Sequence, residues 1–184
     1  SLSLLGLGKQ NEINKDSLRD TLSEYIRNLI DKEEQISILL PWESLDKETI
    51  YLIAEACRLS TYRDNRFNQK RDEAIKLQKI EFLNLNNSNN ISFEEVENIC
   101  EGVEFARKLV ASPPNDLTPL EMSIKANEIA NDHNLEIKIL NEQECENLGM
   151  GAFLAVAKGS DLKPKFIHLT YKPKDQIKNK IALV

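Results

Sequence analysis

Apolar residues recur along this chain with two periods, and the switch between them predicts its elements. Leu18, Leu22, Tyr25, Ile26, Leu29 and Ile30 return at helical spacing, so residues 16–32 read as an amphipathic helix. A second helix is predicted over residues 46–62, with Ile50, Ile53, Ala54 and Cys57 on its inner face. Three short runs read as strands: residues 2–7 running into Gly6-Leu7-Gly8, residues 36–40 closed by Pro41, and residues 79–85, where Ile80 and Phe82 alternate with polar neighbours. Strand and helix in this order predict an α/β fold with parallel strands and crossover helices.

Residues 84–92 (NLNNSNNIS) break the pattern, being polar, turn-favouring and short of anything to bury. Ser92-Phe93-Glu94-Glu95 then has the form of a capping box. The helix after it is expected to bury Val96, Ile99, Cys100, Val103, Ala106 and Val110. It should stop at Pro113-Pro114, because proline lacks an N–H and pushes its predecessor out of helical geometry. Thr118 is placed to cap a further helix with Pro119 at its first position. Residues 135–140 read as a strand, and Asn141 to Glu144 as the cap of a short helix ending near Gly149. Three more strands are expected at residues 152–157, 166–171 and 180–184. Two units therefore meet near residue 90, and both outer ends look cut, each lying on a strand-like run.

Composition narrows the class. The chain has 184 residues, 41% hydrophobic and 29% charged, with a formal net charge of −6. That is a globular balance, without the basic field that favours nucleic acid or anionic membranes. No apolar stretch approaches the roughly 20 residues of a membrane-spanning helix, and no leader peptide is visible. Cys57, Cys100 and Cys145 are few and far apart, which predicts reduced thiols in a cytoplasmic compartment. The triplets at Asn86-Asn87-Ser88 and Asn90-Ile91-Ser92 match the glycosylation pattern but, with no secretory signal, read as an Asn-rich loop.

Candidate chemistry is sparse. Gly6 to Asn11 (GLGKQN) resembles a phosphate loop only superficially: Gln10 stands where Ser or Thr must follow the lysine, and no glycine precedes Gly6. Arg58, Arg63, Arg66, Lys70 and Arg71 surround Tyr62 and Phe67, a mixture that can bind single-stranded nucleic acid. Asp64, Asp72 and Glu73 dilute it, which favours a solvated helix end and crossing loop. His133 and His168 lie far apart, without the three or four converging ligands that zinc requires. Cys145 has no neighbouring base, and no serine sits in a Gly-x-Ser-x-Gly elbow. The residues alone assemble no catalytic constellation.

Two stretches carry a resemblance. GVEFARKLVASPPNDLTP (residues 102–119) and NLGMGAFLAVAKGSDLKPKFIHLTY (residues 147–171) resemble the leucyl, or cytosol, aminopeptidase family. Weaker echoes lie at residues 4–9 and 54–67. The resemblance implies an incomplete macro-like N-terminal α/β domain over residues 1–90 and a linker helix over 91–111. Residues 112–184 would begin a metallo-aminopeptidase catalytic domain. It further implies a cytoplasmic enzyme, commonly a homo-hexamer, that uses two divalent ions, manganese or zinc, to release N-terminal residues from peptides.

The departures from the family pattern bear on the site. The metal-holding Gly-Lys-Gly-x-Thr-Phe-Asp-Ser-Gly-Gly and Asn-Thr-Asp-Ala-Glu-Gly-Arg segments do not occur in this sequence. No metal ligand or catalytic residue is therefore carried over to any position here. Structural roles do carry over: Pro113, Pro114 and Asn115 would set the turn from linker helix into catalytic domain, and Gly149 and Gly151 a tight helix-to-strand passage. The alternatives are a nucleic-acid- or nucleotide-binding, macro-like module without peptidase activity, and a short protein serving oligomer contacts.

Overall fold

The computed structural model describes residues 2–9, 11–40, 42, 45–67, 75–84, 91–173 and 179–184. Pro41, Lys70, Arg71 and the Asn-rich stretch at 85–90 fall outside that description. The chain divides into two compact units, Ser1–Val110 and Ala111–Val184.

In the first unit, α1 (Lys15–Leu29) is opened by Asn14, whose side chain accepts from the Ser17 amide while the Ser17 hydroxyl accepts from the Asn14 amide. Asp46 caps α2 (Lys47–Ser60) through the Thr49 amide. The two helices pack together, as the predicted stripes require. Strands β1 (Gln35–Leu39) and β2 (Lys79–Leu83) pair in parallel, with Ile36 beside Ile80 and Ile38 beside Phe82. Those four side chains meet a core of Leu18, Leu22, Ile26, Ile30, Leu40, Ile53, Cys57 and Leu77. The crossover topology expected for this half is present.

Helix α3 (Phe93–Ala111) buries only Val96 and Cys100, which pack on Ala54, Tyr51, Leu59 and Phe82. Ile99 and Ala106 are exposed and Val110 is 87% exposed, so of the stripe expected to be buried only Val96 and Cys100 are buried and Val103 half-buried. The capping box also differs from the expectation. Glu95 does not reach back to the Ser92 amide; the Tyr51 hydroxyl accepts from that amide at 3.1 Å and donates to Glu95 Oε2 at 2.8 Å. A side chain of α2 thus bridges the two halves of the box.

In the second unit, α4 (Pro119–Asp132) is followed by β3 (Glu136–Leu140), α5 (Glu142–Asn147), α6 (Gly151–Ala157) and β4 (Phe166–Thr170). β3 and β4 are antiparallel, with Ile139 opposite Ile167 and Ile137 opposite Leu169. The expectation of parallel pairing fails here: the connection through α5 and α6 returns the chain alongside β3 in the opposite direction. Residues 152–157, expected as a strand, are helical: Ala and Leu favour helix, and so short an apolar run carries no decisive period. Residues 2–7 and 180–184 form no strand either. Leu5 and Leu7 lie against the first core, whereas Ile181, Leu183 and Val184 are exposed. A strand is defined by its partner, and neither run has one among the described residues.

Candidate functional site

The turn predicted at Pro113 is built by backbone geometry. α3 ends at Ala111, and the Pro113 carbonyl accepts from the amides of both Asp116 and Leu117 at 2.9 Å. Pro114 and Asn115 lie inside this closed turn. Thr118 Oγ1 then accepts from the Glu121 amide at 3.2 Å, capping α4 with Pro119 in the first turn. Each proline stands where no amide donor is needed.

Gly149 closes α5 in a Schellman arrangement. Its amide donates to Glu146 O at 2.9 Å and the Met150 amide to Cys145 O at 3.0 Å. Its φ of +68° is left-handed, the region glycine adopts most readily. Gly151 opens α6, and a Cβ there would meet nothing within 4 Å. The passage therefore runs from helix to helix, not helix to strand, and only Gly149 is required by conformation.

The groups with intrinsic reactivity are shielded or scattered. Burial pushes the Cys57 thiol up to about 12 and the Cys100 thiol up to about 11, which suppresses the nucleophilic thiolate. Cys145 is fully buried. His133 caps the C-terminus of α4, and His168 sits exposed on β4 opposite Lys138. Among the described residues no three His, Cys, Asp or Glu side chains converge as a metal site would need, so those residues do not fit a two-metal centre.

The basic stretch is neutralised where it is described. Arg58 bridges Glu97, at 2.8 Å, and Glu104; Arg63 meets Asp31 at 2.6 Å. Arg66 holds Asp64 at 2.7 and 2.9 Å and brings its carboxyl down to about 2, below the usual carboxylate range. Arg107 stacks over the Tyr62 ring.

Among the described residues of the first unit lies a concave feature that sequence reasoning missed. A groove of about 640 Å³ runs along β2, walled by Ala54, Cys57, Arg58 and Thr61 of α2 and its cap and by Phe93, Val96 and Glu97 of α3. Phe93 stacks on Phe82, with centroids 6.1 Å apart, at its wall. No local signal marks it, because it is formed by three elements distant in sequence.

Comparison with known proteins gives these turns a context. Residues 1–71 match the model of the cytosol aminopeptidase family N-terminal domain, and residues 104–184 that of the family's catalytic domain. The chain belongs to the cytosol aminopeptidase family. A "Probable cytosol aminopeptidase" of Prochlorococcus marinus subsp. pastoris is 60% identical over 185 residues, which is all of this chain and 38% of that protein. One of Synechococcus sp. is 42% identical over 184 residues, again all of this chain and 38% of the relative. Among solved structures, a tomato leucine aminopeptidase mutant superposes with a TM-score of 0.83 at 27% identity, covering 94% of this chain and 36% of its own. The chain thus spans well under half the length of these relatives. Both quoted motif blocks, with Pro113 to Asn115 and Gly149 to Gly151, fall almost wholly inside the catalytic-domain match.

Proposed function

We propose that this chain is part of a longer, metal-dependent aminopeptidase that releases N-terminal residues, leucine among them, from peptides. Residues 1–90 form the C-terminal part of its macro-like N-terminal domain, residues 91–111 its linker helix, and residues 112–184 the start of its catalytic domain. The observation that carries this reading is the match of both family domains in one chain and in order, residues 1–71 to the N-terminal domain and residues 104–184, from within α3 onward, to the catalytic domain. The aminopeptidase names of the relatives support the reaction class.

In this reading the two divalent ions, manganese or zinc, are held by residues outside 1–184, and they supply Lewis-acid activation of water. The present residues contribute scaffold: Pro113, Pro114 and Asn115 direct the chain out of the linker helix, and Gly149 reverses it between α5 and α6. The whole protein works in the cytoplasm as a homo-hexamer on peptide substrates, without a membrane. No helix among the described residues is long and apolar enough to cross one. The comparisons lend no support to the alternative, a nucleic-acid- or nucleotide-binding module without peptidase activity. The ion pairs of Arg58, Arg63 and Arg66 weigh against it as well.

Hydrolysis of a leucine anilide by the full-length protein, measured with and without manganese or zinc, tests the assignment. Turnover is expected to vanish on verified metal removal and return on reloading; persistence after metal loss overturns it. Metal-dependent turnover by residues 1–184 alone would overturn the placement of the chemistry.

A further inference from the structure

The end of α3 is short of hydrogen-bond donors for a reason written in the sequence. The last four carbonyls of a helix, here those of Lys108 to Ala111, find no amide partner inside it. The amides that would reach Leu109 and Val110 in an extended ladder belong to residues 113 and 114. Both are prolines and carry no N–H. The residues that stop the helix therefore also strip its terminus of two donors.

A cation from a distant part of the chain stands at this terminus. Arg66 Nη2 donates to the Lys108 carbonyl at 2.6 Å. A positive charge there also suits the negative end of the helix dipole. Asp64 aims the guanidinium: its Oδ1 accepts from Arg66 Nε at 2.9 Å and from the Arg66 amide at 3.1 Å, and its Oδ2 accepts from Nη2 at 2.7 Å. The ammonium of a lysine cannot reproduce that planar fork. Arg107, in the closing turns of α3, lies over the Tyr62 ring, so the segment after α2 grips the helix end at two points.

Arg66 and Lys108 both lie in the first compact unit, Ser1–Val110. In the family, however, Arg66 falls within the N-terminal-domain match and Lys108 within the catalytic-domain match. We infer that Arg66, aimed by Asp64, is a positioning residue that caps α3 in place of the donors missing at Pro113 and Pro114. It thereby fixes the point from which the catalytic-domain sequence sets out. Its bearing on turnover rests on the proposed reading of the whole protein as an aminopeptidase.

The test uses the full-length protein carrying Arg66→Met or Arg66→Lys. Hydrogen exchange of the amides of residues 109–112 is expected to quicken about tenfold in both, with the amides of residues 50–57 in α2 unchanged as a control for folding. Unchanged exchange at 109–112 would overturn the inference, and so would recovery in Arg66→Lys, which would make Arg66 only a counter-charge to Asp64. Should Arg66→Met fail to fold, Arg66→Lys carries the same measurement. Pro113→Ala returns an amide to the Leu109 carbonyl, so in that background Arg66→Met is expected to quicken exchange about threefold or less. An undiminished effect there would overturn the capping role. With a leucine anilide, kcat/KM is expected to fall about tenfold in both Arg66 variants, as a misplaced support far from the chemistry can cause. Unchanged turnover beside a frayed helix end would overturn the positioning role. An unsubstituted protein without metal-dependent turnover would instead sink the aminopeptidase reading and leave the exchange result to decide the cap.

Discussion

The two units differ in what their apolar residues meet. In the first, long side chains from α1, α2, β1 and the segment before β2 converge, and Ile26 and Ile53 are almost wholly buried. In the second, the buried set among the described residues is dominated by small side chains, Ser123, Ala126, Ala130 and Cys145, with Leu140 its one large member. Helix α6 buries nothing, and Leu120, Ile124, Leu148, Val156 and Leu169 remain exposed. Both units carry similar apolar runs, so the contrast is not one of composition. Burial needs a facing surface, and among the described residues the first unit supplies more of it for large apolar side chains.

The sharpest way to break this comparison is truncation of one apolar residue in each unit. Ile26→Ala should cost about 2–5 kcal/mol, the loss of transfer energy plus a cavity. Val156→Ala, at a position 83% exposed, should stay within about 0.5 kcal/mol in residues 1–184. Urea titration of the two variants reads both, and equal losses would remove the distinction between the units.

Next in size is the ion-pair bridge that fastens α3 to α2. Arg58→Leu leaves Glu104, only 13% exposed, without its counter-charge. A loss of about 1–3 kcal/mol is expected, between the surface and buried limits. A double-mutant cycle with Glu104→Gln should show coupling; additivity would mean that the pair is ornamental.

The glycines of the second unit offer a paired control. Gly149→Ala should cost about 1 kcal/mol, because the left-handed backbone penalises a Cβ. Gly151→Ala should be neutral or slightly stabilising, because open space surrounds it and the residue begins a helix. Thermal denaturation of the two variants checks the order, and a larger loss at Gly151 would contradict the geometry.

The smallest effect is a pH dependence of the first unit. Arg66 depresses the Asp64 carboxyl, so its stabilising contribution is complete above about pH 4. It is lost as pH falls toward about 2, where the carboxylate takes up its proton. Asp64→Asn should flatten that part of the acid limb and leave stability near neutral pH slightly lower. An unchanged acid limb would show that the ion pair does not contribute.

Much of this was legible in the residues. Periodicity located α1, α2 and all four observed strands, and cap chemistry placed the starts of α4 and α5 at Thr118 and Asn141. Those signals are local, because a cap or a helical stripe depends on residues within a turn or two. The turn at Pro113 was likewise marked by proline alone. The groove along β2 and the Tyr51 bridge were not legible, since they join elements some 40 residues apart.

By itself, then, the sequence determined local form: where helices start and stop, where the backbone must turn, and which family pattern the chain follows. The tertiary structure decided pairing and burial. It made residues 152–157 a helix, turned β4 against β3, left residues 2–7 and 180–184 without strand partners among the described residues, and left Ile99, Ala106 and Val110 of α3 exposed. These outcomes depend on what lies opposite a residue, and apolar periodicity records only that something should.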